Sequence, residues 1–448
     1  MRWWRGAPFA LAAATFIAWG GVPSGTFQFD DFANVVRDPA TSDLAALAER
    51  LTTGVRPLTR LSYFVDAHVF GMNAAGFLAT NLALHVATVL VVFELARRRL
   101  RGAAALAAAL FFALQPAHAE VVAYVSGRST GLMAPLLVGA LLLWDRDKRA
   151  AALACATLAC LAKEVALVFP LLLGAWEMTR PQPRPDARRT LAIASSVALG
   201  IGALLLGLAR YRFLLDFSFE LRTPLENLLA NGRAIPATLS LWLRPWALSP
   251  DHAFSASGSL AASFAGWLAI AGALGASFSL RKRAPHVALA LCWPLIALLP
   301  TNSLIPKLDL VTEKPLYLAW LGPSLALGAG ASRLLEYAER KRARRWMAGA
   351  CVSLLCALAA TASWRASLWR DPVRLWLDAT VKAPEKSRCW NNLGMARLAA
   401  GEDAEALAAF RRAVALDPAN GIARQNVRTA ALLCGSACET DAASEGEH

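Results

Sequence analysis

Residues 74–96 read AAGFLATNLALHVATVLVVFELA and run directly into RRRLR at 97–101. An apolar run of that length covers the roughly 20 helical residues that cross a bilayer, and the arginines after it mark the end that stays in the cytoplasm. Ten further apolar runs bounded by charge lie near 7–23, 102–116, 131–143, 150–162, 165–177, 190–209, 260–279, 286–300, 316–332 and 346–363, for eleven crossings in all. Several are short of a full crossing and need flanking residues to extend them. With 56% of the 448 residues hydrophobic and 17% charged, the chain is expected to be an all-α, polytopic membrane protein.

Charge is distributed unequally between alternate connections. Residues 1–6, 97–101, 144–149, 178–189, 281–286 and 333–345 hold 22 Lys or Arg in 48 residues, against 13 in the far longer loops of the other face. The positive-inside rule then puts the amino terminus in the cytoplasm and, after eleven crossings, the carboxyl terminus outside. Residues 150–177 read as a hairpin, because both flanks are basic; its outer tip carries Lys163 and Glu164. The outer loops are 24–73, 117–130, 210–259 and 301–315, and loops so polar on one face are expected to converge over one cavity. Within the third, Ile235 to Leu243 is apolar and reads as a helix lying at the membrane interface or dipping partway in.

The formal charge of +14 belongs to the part before about residue 364, since the remainder holds 11 Lys or Arg and 11 Asp or Glu. A basic nucleic-acid tail is excluded. In this remainder Trp390, Leu393, Gly394, Ala406, Phe410, Ala413 and Pro418 fit the tetratricopeptide pattern of two antiparallel helices in 34 residues. Trp376, Ala379 and Pro384 precede Phe410, Ala413 and Pro418 by the same offset, and GIARQNVRTAALL follows as one more first helix. The organisation is therefore a membrane domain over 1–363, a short repeat domain over 364–434, and a small, acidic, disordered tail over 435–448. Cys155, Cys160, Cys292, Cys351 and Cys356 lie in or near spans, where cysteine acts as a small apolar residue. Cys434 and Cys438 are a candidate disulfide in an oxidising compartment. No zinc spacing, Walker loop, G-x-G-x-x-G or H-E-x-x-H occurs, which removes support for nucleotide-driven transport.

What remains is chemistry at the outer face. Asp30 and Asp31 are adjacent, so in an extended segment their carboxylates point opposite ways and cannot face each other as an acid and base pair. One serves as base and the other as support. A carboxylate that accepts a hydroxyl proton, with cations that stabilise a departing phosphate, suits transfer of a sugar from a lipid phosphate. Arg128, Lys163 and Lys314 are the isolated outer cations near span ends and are the candidate donor-phosphate contacts. Each is equally the kind of cation that snorkels to a headgroup.

Phe29, Asp30, Asp31, Asn34, Asp38 and Pro39, the stretch RPLTRLSYFVDAHVFGMN with Asn81 and His85 after it, QPAHAEVVAYVSGRST, ACLAKEVALVFPLLL, TNSLIP with TEKPLY, and the repeat follow one another in an order that is itself informative. In this the chain resembles the transmembrane and tetratricopeptide-repeat (TMTC) O-mannosyltransferases and their bacterial relatives, within the C-type glycosyltransferases. The resemblance implies a GT-C-like helical enzyme. It would move a sugar from a polyprenyl-phosphate donor, with inversion, to an acceptor hydroxyl outside, with Asp30 the first choice of base. It further implies that Arg56, Arg60, Tyr63, His118, Glu120, Glu164 and Glu313 line the cavity with Arg128, Lys163 and Lys314. The lipid-linked sugar is the substrate; no other cofactor and no metal is implied, and the repeat would hold a protein acceptor. Relatives often have His at Gln115 and an acid at Thr130, and most carry longer repeat arrays.

Two other classes stay open. A glycolipid or cell-envelope sugar transferase would share base and donor site and differ in its acceptor groove. A non-enzymatic scaffold would need no Asp pair. Alanine and arginine bias, with no N-x-S/T sequon, fits a bacterial cytoplasmic membrane.

Overall fold

A computed structural model describes residues 6–182 and 184–434. Among them the secondary structure is helical, with no strand. Each expected apolar run falls on a helix or on two abutting helices. Six are long and apolar enough to cross a membrane alone: Ala7–Ser24, Ala74–Ala96, Val125–Asp145, Ala187–Gly207, Leu260–Leu280 and Arg344–Leu368. A seventh arises if Gly102–Ala113 and Pro116–Val122 are one span bent by 53°. Arg149–Ala162 and Pro285–Leu298 are apolar but shorter, so length and composition do not establish eleven crossings. The chain is a multi-pass membrane protein.

The bend after Ala113 follows from Pro116, which has no N–H to give the preceding turn. Gln115 receives the Ala117 N–H instead at 3.4 Å. Hairpin geometry over 149–178 is set at one end by Trp144 Nε1 donating to Glu177 at 2.6 Å and Trp176 Nε1 donating to Asp145 at 3.0 Å. Arg99 donates to the Trp176 carbonyl at 2.8 Å at that same end. The helix Arg149–Ala162 breaks at Lys163, whose backbone is extended, so Lys163 and Glu164 sit at the opposite tip. Basic connections thus gather at one end and the large polar loops at the other.

The stretch Ile235 to Leu243 packs on a neighbouring span. Most of it belongs to Pro224–Ser240, which buries Ala230, Asn231, Gly232, Ala234, Ile235 and Thr238. A β-carbon on Gly232 would lie 2.4 Å from the Ser263 carbonyl, so this helix crosses Leu260–Leu280 at backbone contact. Its small residues make that approach available.

The last span, Arg344–Leu368, runs past the expected boundary at 363, and the repeat region starts at Pro372. Four helices follow: Pro372–Lys382, Ser387–Ala399, Asp403–Leu416 and Gly421–Cys434. Gly394 packs on the Phe410 ring, where a β-carbon would come within 2.6 Å; this is the close crossing that the repeat pattern requires. Cys434 is disulfide-bonded, while Cys438 and the acidic tail lie outside the described residues. The repeat is tied to the outer loops: Arg388 Nη2 donates to Asp251 at 2.6 Å and to Asp309 at 2.7 Å, and Lys386 pairs with the same two carboxylates.

Candidate functional site

The two neighbouring aspartates have different surroundings. Asp31 is fully buried. One of its oxygens takes the Ser126 N–H at 2.8 Å and the Ser126 hydroxyl at 2.6 Å, and the other takes the Gln28 N–H at 3.0 Å. It pins the first loop to the first turn of Val125–Asp145. Burial raises its carboxyl to about 7, against the lowering pull of those hydrogen bonds and of the Lys314 charge. Asp30 begins a helical turn, its side chain exposed and its N–H donated to the Tyr124 hydroxyl at 3.0 Å. Phe29 precedes it at φ 45°, a left-handed conformation costly for a bulky residue; the turn it makes aims the pair in two directions.

Tyr124 connects Asp30 to the cations. The Lys314 ammonium lies 4.7 Å from the centre of the Tyr124 ring and 3.3 Å from Glu120 Oε1. Glu120 Oε2 also receives the Lys314 N–H at 3.1 Å. Lys163 is buried and donates to the Thr130 hydroxyl at 2.7 Å. Burial, helped by the nearby Arg56 charge, lowers its ammonium to about 7. Beside it, Arg56 forms a two-point pair with Glu164 at 2.9 and 2.5 Å and holds that carboxyl down at about 2 against the effect of burial. Arg56 itself stands at φ 57° just before Pro57. Asp30, Asp31, Lys163, Glu164, Arg56, Glu120 and Lys314 are thus drawn from three loops and the hairpin tip to one end of the bundle.

Other expected site residues sit elsewhere. Arg128 has no exposure; its nitrogens donate to Asn81, to Ser62 Oγ at 3.3 Å, to Asp66 at 2.7 Å and to the Phe77 carbonyl at 2.6 Å. Its fork is spent on the protein, which corrects its assignment as a phosphate contact. Tyr63 is buried and donates to the Val125 carbonyl at 3.2 Å. Arg60 ties Asn34 and Asp38 together within the first loop. His118 lies in a closed cluster with His85, Phe112 and Tyr317, neither ring nitrogen partnered, so it does not line an open cavity.

Glu313 is fully buried, not lining. Its Oε1 accepts from the Ser249 N–H at 2.5 Å and lies 3.2 Å from His252 Nε2 and 3.9 Å from Arg365. Arg365, a fully buried cation at the end of the last span, also pairs with Asp378 of the repeat region at 3.2 Å. Sequence reading missed Tyr124, Ser126, Asp66 and Arg365. A lone arginine at the end of an apolar run was the available signal for Arg365. Among the described residues no group of three His, Cys, Asp or Glu is placed to hold a metal ion.

This is a multi-pass helical membrane protein with a charged cluster at the loop end of the bundle and a repeat domain fastened over it. A family model for the tetratricopeptide repeat matches residues 387–420. The chain is 30% identical over 160 residues to the human protein O-mannosyl-transferase TMTC1, covering 32% of this chain and 18% of that protein. The mouse TMTC1 protein is 29% identical over 160 residues, with 32% and 17% covered. Protein O-mannosyl-transferase F38B6.6 of Caenorhabditis elegans is 22% identical over 156 residues, with 31% and 23% covered. The matches span about a fifth of the length of these relatives. The chain is thus similar to these TMTC and related proteins over about a third of its own length.

Proposed function

We propose that the protein is a glycosyltransferase that moves a sugar from a polyprenyl-phosphate donor to a hydroxyl, of a protein, on the non-cytoplasmic face of a bacterial cytoplasmic membrane. The observation that carries this reading is the division of labour between Asp30 and Asp31. One carboxylate is open and the other is locked in place three ways beside it. The acceptor oxygen bonds to the anomeric carbon from the face opposite the phosphate, so the configuration inverts. Its proton passes to Asp30, and the electron pair of the breaking carbon–oxygen bond leaves with the lipid phosphate. Lys163 and Lys314 meet that charge. Thr130 holds the Lys163 ammonium in position and Glu120 that of Lys314. The O-mannosyl-transferase names of the relatives favour a mannose donor and a protein acceptor.

The test is transfer from synthetic polyprenyl-phosphate mannose by the purified full chain, beside donor binding followed by native mass spectrometry. Asp30→Asn is expected to lower transfer by about a thousandfold, within the range of general-base loss, with donor still bound. Transfer at the wild-type rate in Asp30→Asn would remove the base assignment. A folded wild-type protein that binds no polyprenyl phosphate would remove the donor.

A further inference from the structure

A cleft of about 480 Å³ opens between the repeat and the third and fourth outer loops. That volume lies within the range of ligand pockets, about 300–1,000 Å³. The loops supply His252, Phe254, Leu308 and Asp309 to its wall; the repeat supplies Ser387 and Arg388 from the start of one helix and Leu416, Asp417 and Asn420 from the end of the next. Both ends of the matched repeat unit, residues 387–420, therefore face it.

The charges there are unevenly paired. Lys386 and Arg388 are taken by Asp251 and Asp309, which clamps the repeat to the loops and holds the cleft walls in place. Glu385 and Asp417 are exposed on the lip, and among the described residues no basic group pairs with either. Leu308 is 58% exposed at the mouth, beside Phe254 and Leu416. The cleft also shares a wall with the site: His252 lines it and bonds Glu313, which directly precedes Lys314.

We infer that this cleft seats an extended polypeptide segment that carries basic side chains and delivers an adjacent hydroxyl residue toward Asp30. This rests on the transferase reading and names where its acceptor docks. Negative charge left over at the lip attracts Lys or Arg and repels a phosphate or an anionic headgroup. The apolar patch takes an intervening aliphatic side chain, and Asn420 offers an amide to backbone groups. The cleft is formed by loops and repeat, away from the lipid-facing spans, so the occupant is a chain in water rather than a lipid tail.

The experiment uses the full chain in zwitterionic nanodiscs and a fluorescent peptide alternating Val, Thr and Lys, with a counterpart in which Glu replaces Lys. The Lys peptide should bind, and Glu385→Lys with Asp417→Lys should weaken it about tenfold and reverse the preference between the peptides. Both substituted side chains are exposed, and an unchanged melting temperature confirms the fold. Phe254→Ala, without charge change, should weaken both peptides alike. Equal binding of the two peptides, indifference to the charge reversal, or binding only when anionic lipid is present would each overturn the proposal. Transfer at the wild-type rate to the Lys peptide by the reversed variant would overturn the docking site and leave the transferase intact. Reversible, charge-dependent binding with no transfer to any peptide would keep the docking site and remove the transferase reading.

Discussion

Val125–Asp145 and Arg344–Leu368 are both long, apolar helices fit to cross a bilayer, yet 72% of the apolar 18-residue stretch of the first is buried within the protein and only 6% of that of the second. Ala74–Ala96 goes with the first; Ala187–Gly207 and Leu260–Leu280 go with the second. The inner helices bury Asn81, His85, Thr88, Arg128, Ser129 and Thr130, and those for which a bond is described have protein partners. The outer helices present mostly aliphatic and aromatic side chains outward. Lipid tails are as apolar as leucine, so apolarity does not decide which helices face one another; polar bonds and close backbone approach do. The candidate site stands on the inner set, which makes its geometry a consequence of that buried polar bonding.

The harshest way to break the comparison is to remove a cation from each set. Arg128→Met leaves Asp66 buried without its partner, and such a loss costs about 3–5 kcal/mol. Arg344→Met removes an exposed pair with Glu339, at 2.8 Å with both side chains more than half exposed, and should cost less than about 1 kcal/mol. Thermal unfolding of both variants in the same detergent reads the difference. Equal melting temperatures would mean that the inner polar contacts do not hold the bundle.

Backbone approach gives a second, smaller contrast. A β-carbon on Gly328 would stand 2.4 Å from the Ala104 carbonyl, because Leu321–Arg340 lies against Gly102–Ala113 there, whereas at Gly349 on the outward helix nothing lies within 4 Å. Gly328→Ala should cost about 1–3 kcal/mol through overpacking. Gly349→Ala should be neutral or stabilise by up to about 1 kcal/mol through helix propensity. A neutral Gly328→Ala in the same unfolding measurement would show that Leu321–Arg340 and Gly102–Ala113 part easily.

Much of this was legible in the chain. Apolar runs closed by arginines located the helices, the 34-residue offset from Trp376 to Phe410 located the repeat, and the one-sided polar loops marked the end where the charged cluster forms. The partition into inner and outer helices was not legible, since it rests on pairs distant in sequence. Arg128 looks like a free outer cation until Asp66, 62 residues earlier, comes beside it. What Ile235 to Leu243 packs on was not legible for the same reason: its helix meets Leu260–Leu280, which a reading of one segment does not contain. Asp30 and Asp31 were recognisable as an adjacent pair, but the different surroundings of the two were not: the lock on Asp31 comes from Ser126, and no local pattern announces it.

Lys163 sharpens the comparison most finely, because from a helix break it bonds Thr130 of the inner set and its ammonium lies at about 7. In the unfolded chain the group titrates near 10.4. Between those values the unfolded state binds more protons, so the contribution of Lys163 to stability rises with pH over that window. Donor binding responds in the opposite sense. In the proposed transfer the polyprenyl-phosphate sugar, a phosphodiester charged throughout this range, would be held by the protonated lysine. Affinity of the free protein should therefore fall as pH rises through about 7, by at most about tenfold per pH unit for one proton. Lys163→Arg stays protonated and should flatten that fall, whatever it does to absolute affinity. Donor titrations from pH 6 to 9 compare the slopes. Parallel slopes in the two proteins would assign the titration to a different group and leave Lys163 as a buried partner of Thr130, with Lys314 alone to meet the phosphate.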